Sequence, residues 1–208
     1  MRRSWWIAAV VAGLVAAGST PAPAVDADGR FAAKGWAAGS CEALVTAIQD
    51  EQSVDRPLFV GWVAGYLTAA NIYKDDTFDL APLAPMETLA NIIVQQCRQN
   101  PDVAVVEVMI ALADQLEQQR LRSGRPVLEL ENDGRSVRVH QEIFRRTQGA
   151  LKQLGFYDGA LDGAYGPQSR RALTRFQEAR GLEVSGLPDE ATLVELFFNS
   201  ARAGADDG

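Results

Sequence analysis

Among side chains able to act as acid, base, nucleophile or metal ligand, histidine is the scarcest, with His140 the single one in the chain. Hydrolysis of a polymer needs a metal cluster, a nucleophile with its base, or a positioned pair of carboxylates. No serine or cysteine beside His140 carries a nucleophile signature, and a histidine at a helix start is usually a surface residue. Asp75, Asp76 and Asp79, in the polar and proline-interrupted stretch from Tyr73 to Pro85, lack the spacing and the closing glutamate of a calcium loop, so this stretch reads as a solvated loop. Carboxylates are otherwise plentiful but form no constellation. The chemistry expected is binding: no catalytic residue, no metal, no cofactor and no enzyme.

The start of the chain sets the compartment. Arg2 and Arg3 precede an apolar run from Trp5 to Ala17, and Ala22-Pro23-Ala24 offers a small-x-small cleavage site. This is the pattern of a secretory signal peptide over 1–24, cleaved near Ala24, and it predicts a periplasmic protein. The run is shorter than the ~20 residues that a spanning helix needs, so no membrane association is expected after cleavage. In an exported chain, an even count of two cysteines favours a disulfide between Cys41 and Cys97 over two free thiols, and a metal site fails for want of histidines. Formal charge is -7, and -9 once Arg2 and Arg3 are lost, which argues against nucleic acid and anionic membranes as partners. With 47% hydrophobic residues the chain is globular, and its length suits two small domains.

The elements that would position any site are helical. After a flexible leader over 25–35, Cys41, Leu44, Val45 and Ile48 share one helical face. Leu58, Phe59, Trp62, Val63, Tyr66, Leu67 and Ala70 form a broader stripe on a second helix that Pro57 can start. A third helix from Glu87 to Gln99 turns Leu89, Ile92, Ile93 and Cys97 inward and stops at Asn100-Pro101; a fourth, from about Asp102 to Leu121, buries Val105, Val106, Met109, Ile110, Ala113 and Leu116. The cysteines would staple the first helix to the third, around a core with Trp62 and Tyr66 as its bulkiest members. Phe78 and Tyr73 offer a partner surface. Residues 122–137, with Asn132-Asp133-Gly134, read as a linker in which Val127 to Leu130 alternates weakly and lies extended.

Near the C-terminus, Leu154 to Ser169 packs two Asp-Gly pairs, a Gly-Pro and three aromatic rings into one ordered loop. The pattern repeats: Ser169 follows Asp162-Gly163 at seven residues from Asp162, and Thr192 follows Ser185-Gly186 at seven from Ser185, each pair opening a helix. With Gln148-x-x-Leu151, Leu154-Gly155-Phe156-Tyr157-x-Gly159, Asp162-Gly163-x-Tyr165-Gly166, Ser169-x-x-Ala172, Phe176-Gln177, Gly181-Leu182, Gly186 and Thr192, the span 139–197 resembles the peptidoglycan-binding domain of bacterial cell-wall hydrolases and envelope proteins. Ser169 stands where threonine is usual, Ser185 replaces the second aspartate, and Gly149 weakens the first helix. The resemblance implies three helices, about Val139 to Leu154, Pro167 to Ala179 and Asp189 to Phe197, around Ile143, Leu151, Leu154, Leu173, Phe176, Leu193, Leu196 and Phe197. It also implies peptidoglycan as ligand. A polar ligand with carboxylates and amides suits a shallow groove of aromatic walls, backbone amides and an arginine. Tyr157, Asp158, Tyr165, Arg170 and Arg171 are placed to supply these, with Asp162 as the brace; the alternative is that one tyrosine is core and the arginines an exposed helix face.

Residues 36–116 resemble the HdeA-type periplasmic acid-stress proteins and the Tai-type secreted immunity proteins, through Cys41, Phe59-Val60-Gly61-Trp62-Val63-x-Gly65-Tyr66, and Cys97 followed by Asn100-Pro101. The expectation is an all-α chain of two small domains, a disulfide-stapled helical bundle over 36–121 and a peptidoglycan-binding-like domain over 138–198, with a disordered tail over 199–208. Its expected role is a non-catalytic periplasmic envelope protein that binds peptidoglycan and presents the helical domain to a protein partner. The alternatives are a wall-tethered acid-stress or holdase chaperone, and an accessory or immunity factor for a wall hydrolase.

Overall fold

The structure, a computed structural model, describes residues 26, 28, 30–50 and 52–199. The signal peptide expected over 1–24, residues 25, 27 and 29 of the leader and nearly all of the C-terminal tail lie outside the described residues. The chain divides into two compact units, 1–33 and 34–208. In the first, Asp26 accepts hydrogen bonds from the backbone of Asp28 and Arg30, and Arg30 pairs with Asp28 at 2.6 Å.

The second unit is mostly helical with one two-stranded sheet. A 3-10 turn (Gly35–Ala38) precedes α1 (Cys41–Ala47), α2 (Asp55–Tyr73), α3 (Met86–Gln99) and α4 (Val105–Glu117). Ser40 caps α1 by accepting from the amide of Ala43, and Cys41 lies fully buried and disulfide-bonded to Cys97 of α3. Closing a loop across a separation of 56 residues contributes about 4 kcal/mol in the chain-entropy account. Phe59, Val63 and Leu67 recur every four residues along α2 and face this staple, while Trp36, Phe59, Trp62 and Tyr66 form a continuous run of ring contacts at 5.9 to 6.0 Å. Burial raises the pKa of the Tyr66 hydroxyl, with the Asp114 carboxylate adding to the shift. Phe59, rather than Trp62 or Tyr66, is the large side chain that is wholly enclosed. Leu58 and Ile110, expected inward, are exposed, because each sits on the flank of a stripe that its neighbours already fill.

The stretch from Tyr73 to Pro85 packs more closely than a solvated loop. Leu80, Ala81 and Ala84 are buried, the Leu80 amide donates to Asn71 Oδ1 at 2.8 Å, and Asp79 pairs through its backbone with Leu121. Asp76 is paired with Arg122 and Arg120, and Asp79 accepts from the amide of Ala81, so these carboxylates are spoken for within the chain. Phe78 lies edge-on to His140 at 5.5 Å and against Gly124, where a Cβ would come within 2.4 Å of its ring. Of the two aromatic residues expected at a partner surface, Tyr73 stands clear of the chain, whereas Phe78 is half covered.

The largest departure concerns the segment expected as linker. Residues Val127–Asn132 (β1) and Arg135–His140 (β2) pair antiparallel from Val127 opposite His140 to Asn132 opposite Arg135. Asp133 and Gly134, at φ 48° and 74°, form the two-residue turn whose twist matches a hairpin. Leu128, Leu130, Val137 and Val139 alternate onto one face and, with Leu121, join the core of the C-terminal helices.

That core is enclosed by α5 (Gln141–Gln153), α6 (Pro167–Ala179) and the short α7 (Glu190–Val194), which continues as a π-helical turn (Glu195–Asn199). Ile143, Phe144, Leu151, Leu173, Phe176 and Leu196 are buried in it; Leu154, expected among them, is 38% exposed. Among the described residues no helix is long and apolar enough to cross a membrane.

Candidate ligand-binding site

Two fully buried glutamines organise the C-terminal loops. Gln148 on α5 accepts from the Gly163 amide at 2.8 Å, and its Nε2 lies within hydrogen-bond distance of Asp162 Oδ1, the Ala164 carbonyl, the Tyr157 hydroxyl and Ser169 Oγ. Gln177 on α6 repeats the arrangement for the next loop: Oε1 accepts from the amides of Ser185 and Gly186, while Nε2 donates toward Ser185 Oγ, the Leu187 carbonyl and Thr192 Oγ1. The seven-residue echo in the sequence is thus two loops folded around two glutamines. Gly163 and Gly186, at φ 69° and 65°, carry the left-handed turns that bring each amide to its glutamine. A Cβ at Gly163 would meet the Gln141 carbonyl oxygen at 2.9 Å. Asp162 also accepts from the Ala164 amide at 2.8 Å, and that bond, followed by the one from Gln148, holds its carboxyl below the usual range. Asp189 caps α7, accepting from the amide and hydroxyl of Thr192.

These braces fix the residues expected to touch ligand, in different places. Tyr157 is buried, its hydroxyl donating to the Ala160 carbonyl at 2.8 Å, so it is part of the core and no wall of a groove. Tyr165 is half-buried edge-on to Phe144, and its hydroxyl donates to the Gly186 carbonyl, tying the first loop to the second; burial raises its pKa. Asp162 serves the loop's own backbone. The other three come together: Asp158, Arg170 and Arg171 line a cleft of about 430 Å³ with Phe156, Gln168, Thr174 and Arg175.

In that cleft two of the three guanidinium groups are positioned by neutral acceptors. Arg170 Nη1 donates to Asn132 Oδ1 at 3.1 Å, and Arg175 Nη2 donates to the Phe156 carbonyl. Asn132, in turn, donates from Nδ2 to the Ser185 carbonyl at 2.8 Å, so the hairpin turn locks onto the second loop and onto α6 at once. Asp158 accepts from Gln168 at 2.6 Å. None of Arg170, Arg171 and Arg175 forms an ion pair among the described residues. Arg175 and Asn132 escape a reading of the sequence for loop residues. The four-residue spacing of Arg171 and Arg175, which puts both on one helical face, is the signal for the first; Asn132 becomes visible only once the hairpin is seen.

A family model described as "Putative peptidoglycan binding domain" matches residues 141–196, the span of α5, both braced loops, α6 and α7. The C-terminal region is a peptidoglycan-binding-like domain. The domain is similar to part of N-acetylmuramoyl-L-alanine amidase CwlM of Mycobacterium tuberculosis, 42% identical over 55 residues that make up 26% of this chain and 14% of that protein. The chain is likewise 45% identical over 49 residues to "Putative OxPP cycle protein OpcA" of Synechococcus elongatus, across 24% of this chain and 11% of that one. The matches therefore span a small fraction of either relative, and the amidase is matched in the binding domain alone. No solved structure matches the chain. The hairpin that supplies Asn132 precedes the matched span, and its Asn132 orients Arg170 within that span.

Proposed function

We propose that this is a non-catalytic protein of the cell envelope, exported to the periplasm, that holds to peptidoglycan through the cleft between Asp158 and Arg175 while its disulfide-stapled helical part, 36–121, meets a protein partner. The observation carrying the reading is the cleft itself. It lies inside the span matched by the binding-domain family, and it gathers three arginines that form no ion pair among the described residues. Peptidoglycan stem peptides present carboxylates and amides, the groups that guanidinium and backbone partners bind best. The partner reading draws support from apolar side chains left exposed along α2, namely Leu58, Ile72 and Tyr73. The test of wall binding is co-sedimentation of the chain lacking 1–24 with insoluble sacculi, beside an Arg171→Glu, Arg175→Glu variant. Pelleting that the double variant abolishes supports the reading; failure of the unaltered protein to pellet overturns it.

A further inference from the structure

The chain bears a net charge of -7, with 27 acidic residues against 20 basic ones. Among the described residues Arg56, Arg120, Arg122, Arg135, Arg145, Arg146 and Arg180 pair with carboxylates, whereas Arg98, Arg125 and Arg138, like the arginines of the cleft on α6, form no ion pair. The cleft is set apart because three such arginines line one concavity. Arg170 is held by an amide oxygen, Arg175 by a backbone carbonyl, and Arg171 makes no hydrogen bond or ion pair among the described residues. A neutral acceptor orients a guanidinium without cancelling its charge, leaving the remaining N–H groups for an anion. Asp158, the one carboxylate in the lining, accepts from the neutral Gln168 amide at 2.6 Å and keeps its charge, so three guanidinium groups against one carboxylate leave the lining net positive. Phe156 supplies an apolar wall, and the volume of about 430 Å³ admits part of a peptide and excludes a whole glycan strand.

We infer that this cleft reads a free carboxylate on the peptide stem of its ligand, with Arg171 and Arg175 as the gripping pair and Arg170, set by Asn132, at the rim. This rests on the reading that the domain binds peptidoglycan and adds a chemical preference to it: wall whose stem carboxylates are free is bound, and wall in which they are amidated is discriminated against. An amide presents N–H donors where the arginines also present donors, so the mismatch costs both the ionic bond and the alignment.

The experiment is calorimetric titration of the full chain lacking 1–24 with a soluble disaccharide-peptide muropeptide, once with stem carboxylates free and once with the same carboxylates amidated, beside pelleting on sacculi stripped of phosphate-bearing polymers. Amidation is expected to weaken binding roughly tenfold or more, as loss of a charge-assisted bond does. Arg171→Gln should remove the preference so that both muropeptides bind alike; since Arg171 has no hydrogen-bond or ion-pair partner among the described residues, this variant should keep its unfolding midpoint. Arg138→Gln, the same loss of charge on the exposed side of β2, should leave the preference intact. Equal affinity of the unaltered protein for both muropeptides, with pelleting retained, overturns the carboxylate inference and leaves wall binding standing. Binding to neither muropeptide, with pelleting only before the phosphate polymers are stripped, names phosphate as the anion and overturns it too. No binding in any arm removes both readings.

Discussion

A glutamine has two acceptor sites and two donors on a single rigid plane, which is why it can hold a loop that makes no regular backbone ladder. Gln177 satisfies the amides of Ser185 and Gly186 and the carbonyl of Leu187 from a fully buried position. Replacement by alanine leaves those groups buried without partners beside a small cavity, and Gln177→Ala should lower stability by about 3 kcal/mol in chemical denaturation. A second expectation concerns Asp162. Its carboxyl is held below the ordinary range by the Ala164 amide and by Gln148, so the folded-state pKa lies under the unfolded one. Its contribution is then fully present above the unfolded value near about 3.9 and is lost as pH falls through the folded one. The stability difference between the unaltered protein and Asp162→Asn should favour the former at neutral pH and shrink toward zero in acid. A difference constant with pH would refute the assignment. Both glutamines stand out in the sequence by position relative to the Asp-Gly and Ser-Gly pairs, but their role does not: a polar side chain reads as surface until the fold shows what encloses it.

Helices are the elements most legible in this sequence. Apolar residues three and four apart place α2 and α3 within a few residues of their observed bounds, the resemblance to the peptidoglycan-binding domain does so for α5 and α6, and Cys41 and Cys97 join α1 to α3 as expected. The hairpin is harder to see, although Val127 to Asn132 and Arg135 to His140 both alternate around an Asp-Gly turn. Arginines and an approach through Gly124 and Pro126 mask a period of two that runs for few residues per strand. Leu154 and Leu58 show the complementary error, since membership of an apolar stripe does not say which edge of the stripe meets solvent. Helix α5 holds one position where the sequence works against the element. Gly149 sits mid-helix with nothing within 4 Å of the place a methyl group would occupy, so Gly149→Ala should stabilise by about 0.5 to 1 kcal/mol, read as a raised denaturation midpoint. A lowered midpoint would mean that the site lacks the space it shows.

From Lys34 onward the protein has two hydrophobic clusters and several ties between them. Leu121 is buried in the second cluster while its backbone pairs with Asp79; Phe197 packs on the second cluster and Phe198 on the first; Arg146 of α5 donates to the carbonyls of Gln119 and Arg120 just past α4. In the chain lacking 1–24 the tryptophans are Trp36 and Trp62, both packed on the first cluster. If the ties make the unit cooperative, Gln177→Ala in the second cluster lowers the unfolding midpoint reported by tryptophan fluorescence; an unchanged midpoint would mean that the clusters unfold independently. The glutamine braces carry one more consequence. Loop amides normally exchange their hydrogens with solvent through small local openings. Those of Gly163, Ser185 and Gly186 are bound to side chains rooted in α5 and α6, and cannot be released until those helices part. In deuterated water these three loop amides should therefore persist as long as the slowest helical ones, and their decay would time the opening of the whole fold.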